Sequence, residues 1–151
     1  MTLIDTPKFR ELSRGECVEL LERNQSGRIA YSFHDRLDIE PISYVFADGW
    51  IYGRTSPGSK LITIRHHHWV AFEVDEIEGR YDWRSVVVHG SMYVLHPNGG
   101  DRDREAYQTA LDVIQSAEAD ALTPTDPTPH RNELFRIYVD EMIGRAATTE
   151  V

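Results

Sequence analysis

The sequence of 151 residues contains a single cysteine, Cys17, which excludes an internal disulfide and a zinc site built from cysteines. No apolar run approaches the roughly 20 residues that a membrane helix requires, and residues 1–10 lack the apolar stretch of a signal peptide. Basic residues number 16 against 25 acidic ones, for a net charge of −9. Because nucleic-acid binding depends on clustered cations, we expect no nucleic-acid partner, no membrane partner and a reducing, cytoplasmic location.

The chain has the length and composition of one globular domain, which we predict to span residues 1–151. Ser13 and Glu16 have the spacing of a capping box and predict a helix over about 13–24, whose apolar side includes Cys17. Helical spacing predicts a second helix over 101–117. Extended segments are predicted at 27–34, 37–46, 50–53, 69–74, 83–95 and 133–139. Short connections favour antiparallel pairing, so the pattern indicates a mainly β fold, a small curled antiparallel barrel with flanking helices.

Three local signals refine this prediction. Asp48–Gly49 is typical of a hairpin turn, and Glu78–Gly79 predicts a second turn. Gly90, in the middle of a long β-branched segment, suggests a bulge where the sheet curls. The proline-rich stretch 122–129 reads as a surface loop within the domain.

The segment YGRTSPGSK at 52–60 is the strongest candidate for a binding site. It holds two cations and three hydroxyl side chains, namely Arg54, Lys60, Thr55, Ser56 and Ser59. A strand ends here, and residues 56–65 are predicted to form a loop that opens a short helix, so backbone N–H groups and cations together favour an anion such as phosphate. The glycine spacing matches neither a Walker A loop nor a dinucleotide fingerprint. On these residues alone, a solvated turn with capping residues remains the alternative.

Other segments carry weaker signals. Pro41 removes a backbone donor, which indicates an edge strand, a bulge or a gap that faces a ligand. The run that begins at Trp83 is equally compatible with packing at a barrel rim. The three histidines 66–68 would point in alternating directions along an extended segment, so we predict no metal site.

Taken together, these segments resemble the pyridoxamine 5'-phosphate oxidase-like, FMN-binding split-barrel proteins, and most closely the short nitroimidazole-resistance-type flavoproteins. The resemblance spans residues 10–146 and rests on the order and spacing of 40–46, 50–61, 70–75 and 83–90, with a similar ending at 135–145. It implies a six-stranded antiparallel split β-barrel of Greek-key type. It also implies a homodimer that holds FMN in the groove between its subunits.

The resemblance further implies which residues contact the cofactor. By this resemblance, the strand that runs along the isoalloxazine ring contains Pro41, Ile42, Ser43 and Tyr44. The ribityl–phosphate end would be contacted by Arg54 and Thr55, and the phosphate by Ser59 and Lys60. The partner subunit would reach the flavin with Trp83 and Ser85. The implied function is an FMN-dependent oxidoreductase acting on a small molecule, related to pyridoxamine 5'-phosphate oxidase and nitroreductase-like. No residue is assigned as catalytic acid or base.

Two other functions remain open at this point. The same fold can bind a deazaflavin or a haem, with His89 or one of the histidines 66–68 as an axial ligand. The chain can also be a non-catalytic dimer that binds a ligand without transforming it. The namesake enzyme differs at the phosphate pair, having Arg-Lys where this chain has Ser59–Lys60, and at the flavin-side strand, where Glu40–Pro41 stand in place of an arginine. These departures argue against pyridoxamine 5'-phosphate itself as the substrate.

Overall fold

The structure, a computed structural model, describes residues 6–62 and 68–149. Within these ranges eight strands and two α-helices follow one another along the chain. The elements are β1 (Lys8–Leu12), α1 (Arg14–Arg23), β2 (Ser26–Phe33), β3 (Arg36–Ser43), β4 (Val45–Ala47), β5 (Trp50–Thr55), a single 3-10 turn (Lys60–Ile62), β6 (His68–Gly79), β7 (Asp82–Val94), α2 (Asp101–Ala117) and β8 (Glu133–Thr148).

All eight strands belong to one antiparallel sheet; seven follow the order β3-β2-β6-β7-β8-β5-β4, and β1 pairs with β8 outside this order. The 16-residue β8 holds the sheet together, since β7 pairs along one of its edges while β5 and β1 share the other. The sheet curls until β3 approaches β5, but the two strands do not pair. This unclosed gap is what a split barrel has, so the predicted fold class is confirmed. The strand number is eight rather than six, because the short β1 and β4 are counted.

The concave face of the sheet buries the main core. Alternate residues of the central strands point inward, among them Ile29, Phe72 and Val88, and α1 covers them with Leu20 and Leu21. The capping box of α1 is present as predicted, and Cys17 lies in this core with its thiol pKa raised by burial. A smaller cluster packs α2 against β5 and β8.

Most local predictions are confirmed, with shifts at their edges. The hairpin turn has positive φ at Asp48 and Gly49, and a register shift follows His89 at Gly90. Added there, a Cβ would run into the carbonyl oxygen of Tyr138, so the bulge requires glycine at this position. The predicted strand 37–46 is broken at Tyr44, whose side chain is buried.

Several boundaries differ from the sequence prediction. The turn predicted at 78–79 is present but displaced, since β6 runs through Gly79, which pairs with Asp82, and the chain reverses between these two residues. Strand β1 was not predicted, and β8 continues nine residues beyond 139. Both extensions depend on pairing with distant strands, which local periodicity does not reveal. Of the loop and short helix predicted over 56–65, the structure describes the loop and the 3-10 turn Lys60–Ile62, and residues 63–67 lie outside the described part of the chain.

Candidate functional site

A cleft of about 620 Å³ opens where the barrel is split, between β3 and the end of β5. This volume is within the usual range for small-molecule sites, roughly 300–1,000 Å³. The cleft brings together seven of the ten residues expected to bind a cofactor: Pro41, Ile42, Ser43, Arg54, Thr55, Ser59 and Lys60. The two segments that sequence analysis singled out independently therefore face each other.

One wall of the cleft is β3, which pairs with β2 and forms an end of the sheet order. Pro41 lies opposite Arg28 of β2, so the predicted edge position is confirmed. Beside it, Glu40 accepts a hydrogen bond from the hydroxyl of Tyr31 at 3.1 Å. Burial first, and then the charge of Glu40, raises the pKa of Tyr31 to about 12, so this phenol keeps its proton and remains a donor at neutral pH.

The opposite wall is the turn that follows β5. The Ser59 N–H donates to the carbonyl of Ser56 at 3.0 Å, and the Ser59 hydroxyl accepts from the Leu61 N–H at 3.2 Å. These bonds fix the turn and direct Lys60 toward β3, where its Nζ lies 3.4 Å from Asp38 Oδ2. Because both of these side chains are well exposed, the ion pair is weak, and a stronger anion can displace the carboxylate.

Arg54 lines the cleft, but its guanidinium already binds other side chains of the protein. Its side chain is 8% exposed and binds Asp126, whose side chain is fully buried, through two hydrogen bonds of 2.6 and 3.2 Å. It also donates to Glu118 at 2.9 Å and to the Thr128 hydroxyl at 3.1 Å. The hydrogen bonds from Arg54 are the main reason that the pKa of Asp126 lies well below its usual range. Arg54 thus fastens the connector between α2 and β8 to the cleft.

Five residues that line the cleft were not among the sequence candidates: Ser26, Tyr31, Asp38, His130 and Arg131. The connector brings the last two of these, His130 and Arg131, to the cleft rim. The stretch 122–129 had been interpreted only as a surface loop. One signal in the sequence could have indicated a larger role for this stretch. Asp126 is an acidic residue among prolines and threonines, and it can form an ion pair with a cation such as Arg54. Pairing over 72 residues of sequence is not visible in local patterns.

Three predicted residues lie away from the cleft. Tyr44 is 4% exposed, packs against Phe72 and donates its hydroxyl hydrogen to the Leu21 carbonyl at 2.6 Å, so its side chain belongs to the core. Trp83 and Ser85 are on β7, and Trp83 borders a separate cavity of about 330 Å³ together with residues of β1 and β8. The resemblance assigned Trp83 and Ser85 to the partner subunit's cofactor, and that role stays a prediction.

The described residues contain no group of three or more histidine, cysteine, aspartate or glutamate side chains that could hold a metal ion. His89 is half-exposed on β7, 3.6 Å from Glu141, and does not line the cleft. Of the three adjacent histidines, 66 and 67 lie outside the described ranges. In the part of the chain that the structure describes, no helix is long and apolar enough to cross a membrane.

Comparison with known proteins identifies the family. Residues 13–146 match the sequence profile of the pyridoxamine 5'-phosphate oxidase family, and the chain belongs to this family. An uncharacterized protein of Rhizobium meliloti is 27% identical over 146 residues, which cover 91% of this chain and 95% of that protein.

Solved structures agree with this assignment. A FAD-binding protein from Mesorhizobium loti is 28% identical with a TM-score of 0.68, over 91% of this chain and 96% of that one. A candidate pyridoxamine 5'-phosphate oxidase from Corynebacterium glutamicum is 29% identical with a TM-score of 0.68, over 95% of this chain and all of the other. A candidate 5-nitroimidazole resistance protein from Bacteroides thetaiotaomicron has the same fold, with a TM-score of 0.68 at 13% identity over 94% of this chain and 89% of that one. The suspected relationship is thereby confirmed at the level of the family.

Proposed function

We propose that the protein binds FMN in the cleft between β3 and the 55–60 turn, forms a homodimer around it, and acts as a flavin-dependent oxidoreductase on a small molecule. One observation carries the proposal: an edge strand faces a turn across a single cleft, and this turn contains several hydroxyl groups and a lysine. The family and the FAD-binding relative support a flavin.

The turn fits the phosphate end of the cofactor. Thr55, Ser56 and Ser59 offer hydroxyl groups, and Lys60 offers three donors and a positive charge, which together suit a phosphate monoester. The net charge of −9 gives no long-range attraction for an anion, so the affinity has to come from these short-range contacts. We favour FMN over FAD because this donor set suits a terminal phosphate.

The β3 wall fits the flat ring system. Pro41 and Ile42 present apolar surface, and an edge strand leaves backbone N–H and C=O groups for the polar rim of a ring. The chemistry supplied by a bound flavin is electron transfer to or from a small molecule. The protein's part is to hold the phosphate, fix the plane of the ring and exclude water from one side of it.

An exposed apolar face next to the cleft supports the homodimer. Ile39, Trp69 and Ile143 lie on the outer side of the sheet and are 67%, 69% and 38% exposed. Ile39 is two residues from Pro41, so the face adjoins the cleft. Large apolar side chains that are exposed on one face of a sheet are typical of an interface. In such a dimer the partner subunit would supply Trp83 and Ser85 to the cofactor, as the family resemblance implies.

Flavin binding is tested by titrating FMN, FAD and riboflavin into the purified protein and following flavin fluorescence and absorbance. We expect Lys60→Ala to weaken FMN binding by about 1.5–3 kcal/mol, the range for a charge-assisted hydrogen bond, which raises the Kd at least tenfold. The matched control is Lys8→Ala, because Lys8 is exposed on β1 and is the chain's other lysine. FMN binding equal in Lys60→Ala and the wild type would contradict the site.

The same titration separates the other cofactors. If the protein binds FAD more tightly than FMN, FAD is the cofactor and the proposal of FMN is wrong. A purified protein with a Soret band would favour haem, and a band near 420 nm without one near 450 nm a deazaflavin (both approximate). Failure to bind any of these cofactors would favour the alternative of a dimer that binds a ligand without transforming it.

Shared sites are tested by mixing subunits. Lys60→Ala and Trp83→Ala homodimers each lack one residue at every site. In a mixed dimer, one site combines the intact Lys60 with the intact Trp83 of the other subunit. We expect recovery of high-affinity FMN binding in the mixture. If the mixture binds no better than its components, or the protein sediments as a monomer with FMN bound, the cofactor is held within one chain.

Oxidoreductase activity is tested by reducing the loaded protein anaerobically and mixing it with small acceptors, nitroimidazoles among them. We expect the bound flavin to be reoxidised faster than free reduced FMN under the same conditions. Reoxidation no faster than that of the free cofactor with every acceptor would leave a binding protein, not an enzyme.

A further inference from the structure

The cleft has fewer available positive charges than its sequence suggests. Of the two cations that flank the turn, Arg54 is offset by two carboxylates, Asp126 and Glu118. Lys60 faces Asp38. A phosphate monoester carries close to two negative charges at neutral pH, so one exposed lysine leaves a large part of that charge uncompensated.

Arg131 is the candidate for a second cation. It lines the same cleft as Ser59 and Lys60, on the rim formed by the connector. Within residues 6–62 and 68–149 its guanidinium makes no ion pair or hydrogen bond, unlike that of Arg54. An exposed guanidinium on the rim can offer two parallel N–H donors to a phosphate at little cost in desolvation.

The backbone of Arg131 is held in place. Its N–H donates to the Thr128 carbonyl at 3.0 Å, and its carbonyl accepts from Arg54 at 3.3 Å. Asp126, at the centre of the same connector, is fastened to Arg54 as well. The connector is therefore fixed at two points close to Arg131, which limits the loss of backbone entropy when a ligand is bound.

From this arrangement we infer that Arg131 is the second phosphate-binding cation of the site, and that Arg54 is a positioning residue which holds the connector so that Arg131 faces the cleft. The inference rests on the proposed flavin function and extends it. It transfers the phosphate contact expected of Arg54 to a residue 77 positions further along the chain.

The test compares FMN with riboflavin, which has the same ring system but no phosphate. Arg131→Gln keeps the backbone bonds of residue 131, and thermal unfolding checks that the fold is intact. We expect the Kd for FMN to rise about tenfold, the lower end for a charge-assisted contact because the side chain is exposed, and the Kd for riboflavin to change less than twofold. The affinity of the variant for FMN should also depend less on salt. The matched control is Arg102→Gln, an exposed arginine on α2.

Each outcome decides the matter. An unchanged Kd for FMN overturns the inference, and so does an equal loss for FMN and riboflavin, since the contact would then not involve the phosphate. If Lys60→Ala weakens FMN and Arg131→Gln does not, the proposed function stands and the role of Arg131 is refuted. If the wild type binds neither flavin, the proposed function and the inference both fail.

Discussion

Replacing Arg54 by methionine should destabilise the protein far more than an ordinary surface change. The guanidinium is 8% exposed and binds a carboxylate that has no exposed surface, so its removal leaves a buried charge without its counterion. Two backbone donors remain to that carboxylate, from Leu122 at 2.8 Å and Thr128 at 2.9 Å. Breaking a buried pair by removing one partner typically costs about 3–5 kcal/mol, and we expect Arg54→Met to lower the free energy of unfolding by that amount.

Urea unfolding followed by tryptophan fluorescence measures the effect. With a urea dependence of roughly 1–3 kcal/mol per molar, the midpoint should fall by at least about 1 M. The control is Arg10→Met, which removes an equally well-formed but exposed pair with Glu16 and should leave the midpoint nearly unchanged. If the two variants unfold at similar urea concentrations, Arg54 does not anchor the connector as described.

The pH dependence gives a second check on the same network. The pKa of Asp126 is lowered in the folded protein, so its stabilising contribution is complete above the unfolded value, about 3.9, and is lost as the pH falls through the folded one. The stability gap between the wild type and Arg54→Met should therefore narrow in acid. A gap that stays constant down to the acid transition would contradict the assignment of the charge to Asp126.

Two further expectations follow from the sheet. Burial is the main cause that raises the pKa of Glu73 to about 7, and the neighbouring Asp75 is the next. Because the folded protein holds this proton more tightly than the unfolded chain, the wild type should lose stability as the pH rises from about 4.5 to 7. Glu73→Gln should not show this loss, and unfolding series across the same pH range measure the difference. If both proteins have the same pH dependence, Glu73 titrates normally. Gly90→Ala should lower the free energy of unfolding by about 1–3 kcal/mol because its Cβ meets the carbonyl of Tyr138, whereas Gly58→Ala, with open space around it, should be nearly neutral in the same assay.

Much of the fold could be predicted from the sequence because its signals are local. The capping box at Ser13, the helix over 101–117 and the turn at Asp48–Gly49 each depend on residues within a few positions of one another. The cleft was predicted in outline for a related reason: a hydroxyl-rich turn and a proline-marked edge strand are recognisable motifs, and family resemblance placed them together.

The remaining features depend on contacts between distant parts of the chain. Arg54 binds Asp126, which is 72 positions further along the chain. This ion pair makes Arg54 a structural anchor, whereas the sequence alone suggested a cation that contacts the ligand. The same contact brings Arg131 to the site, from residues just after the stretch 122–129 that was interpreted as a surface loop. Tyr44 could not be separated from its cleft-lining neighbours by alternation alone, because the strand breaks at that residue and its side chain enters the core.

The visible absorption spectrum of the purified protein, recorded after incubation with FMN and removal of unbound cofactor on a desalting column, tests the central claim most directly. We expect a flavin band near 450 nm (approximate) to remain with the protein, and to be much reduced for Lys60→Ala but not for Lys8→Ala. A protein that emerges colourless, or a band retained equally by all three proteins, would contradict the claim that this cleft holds a flavin through its phosphate.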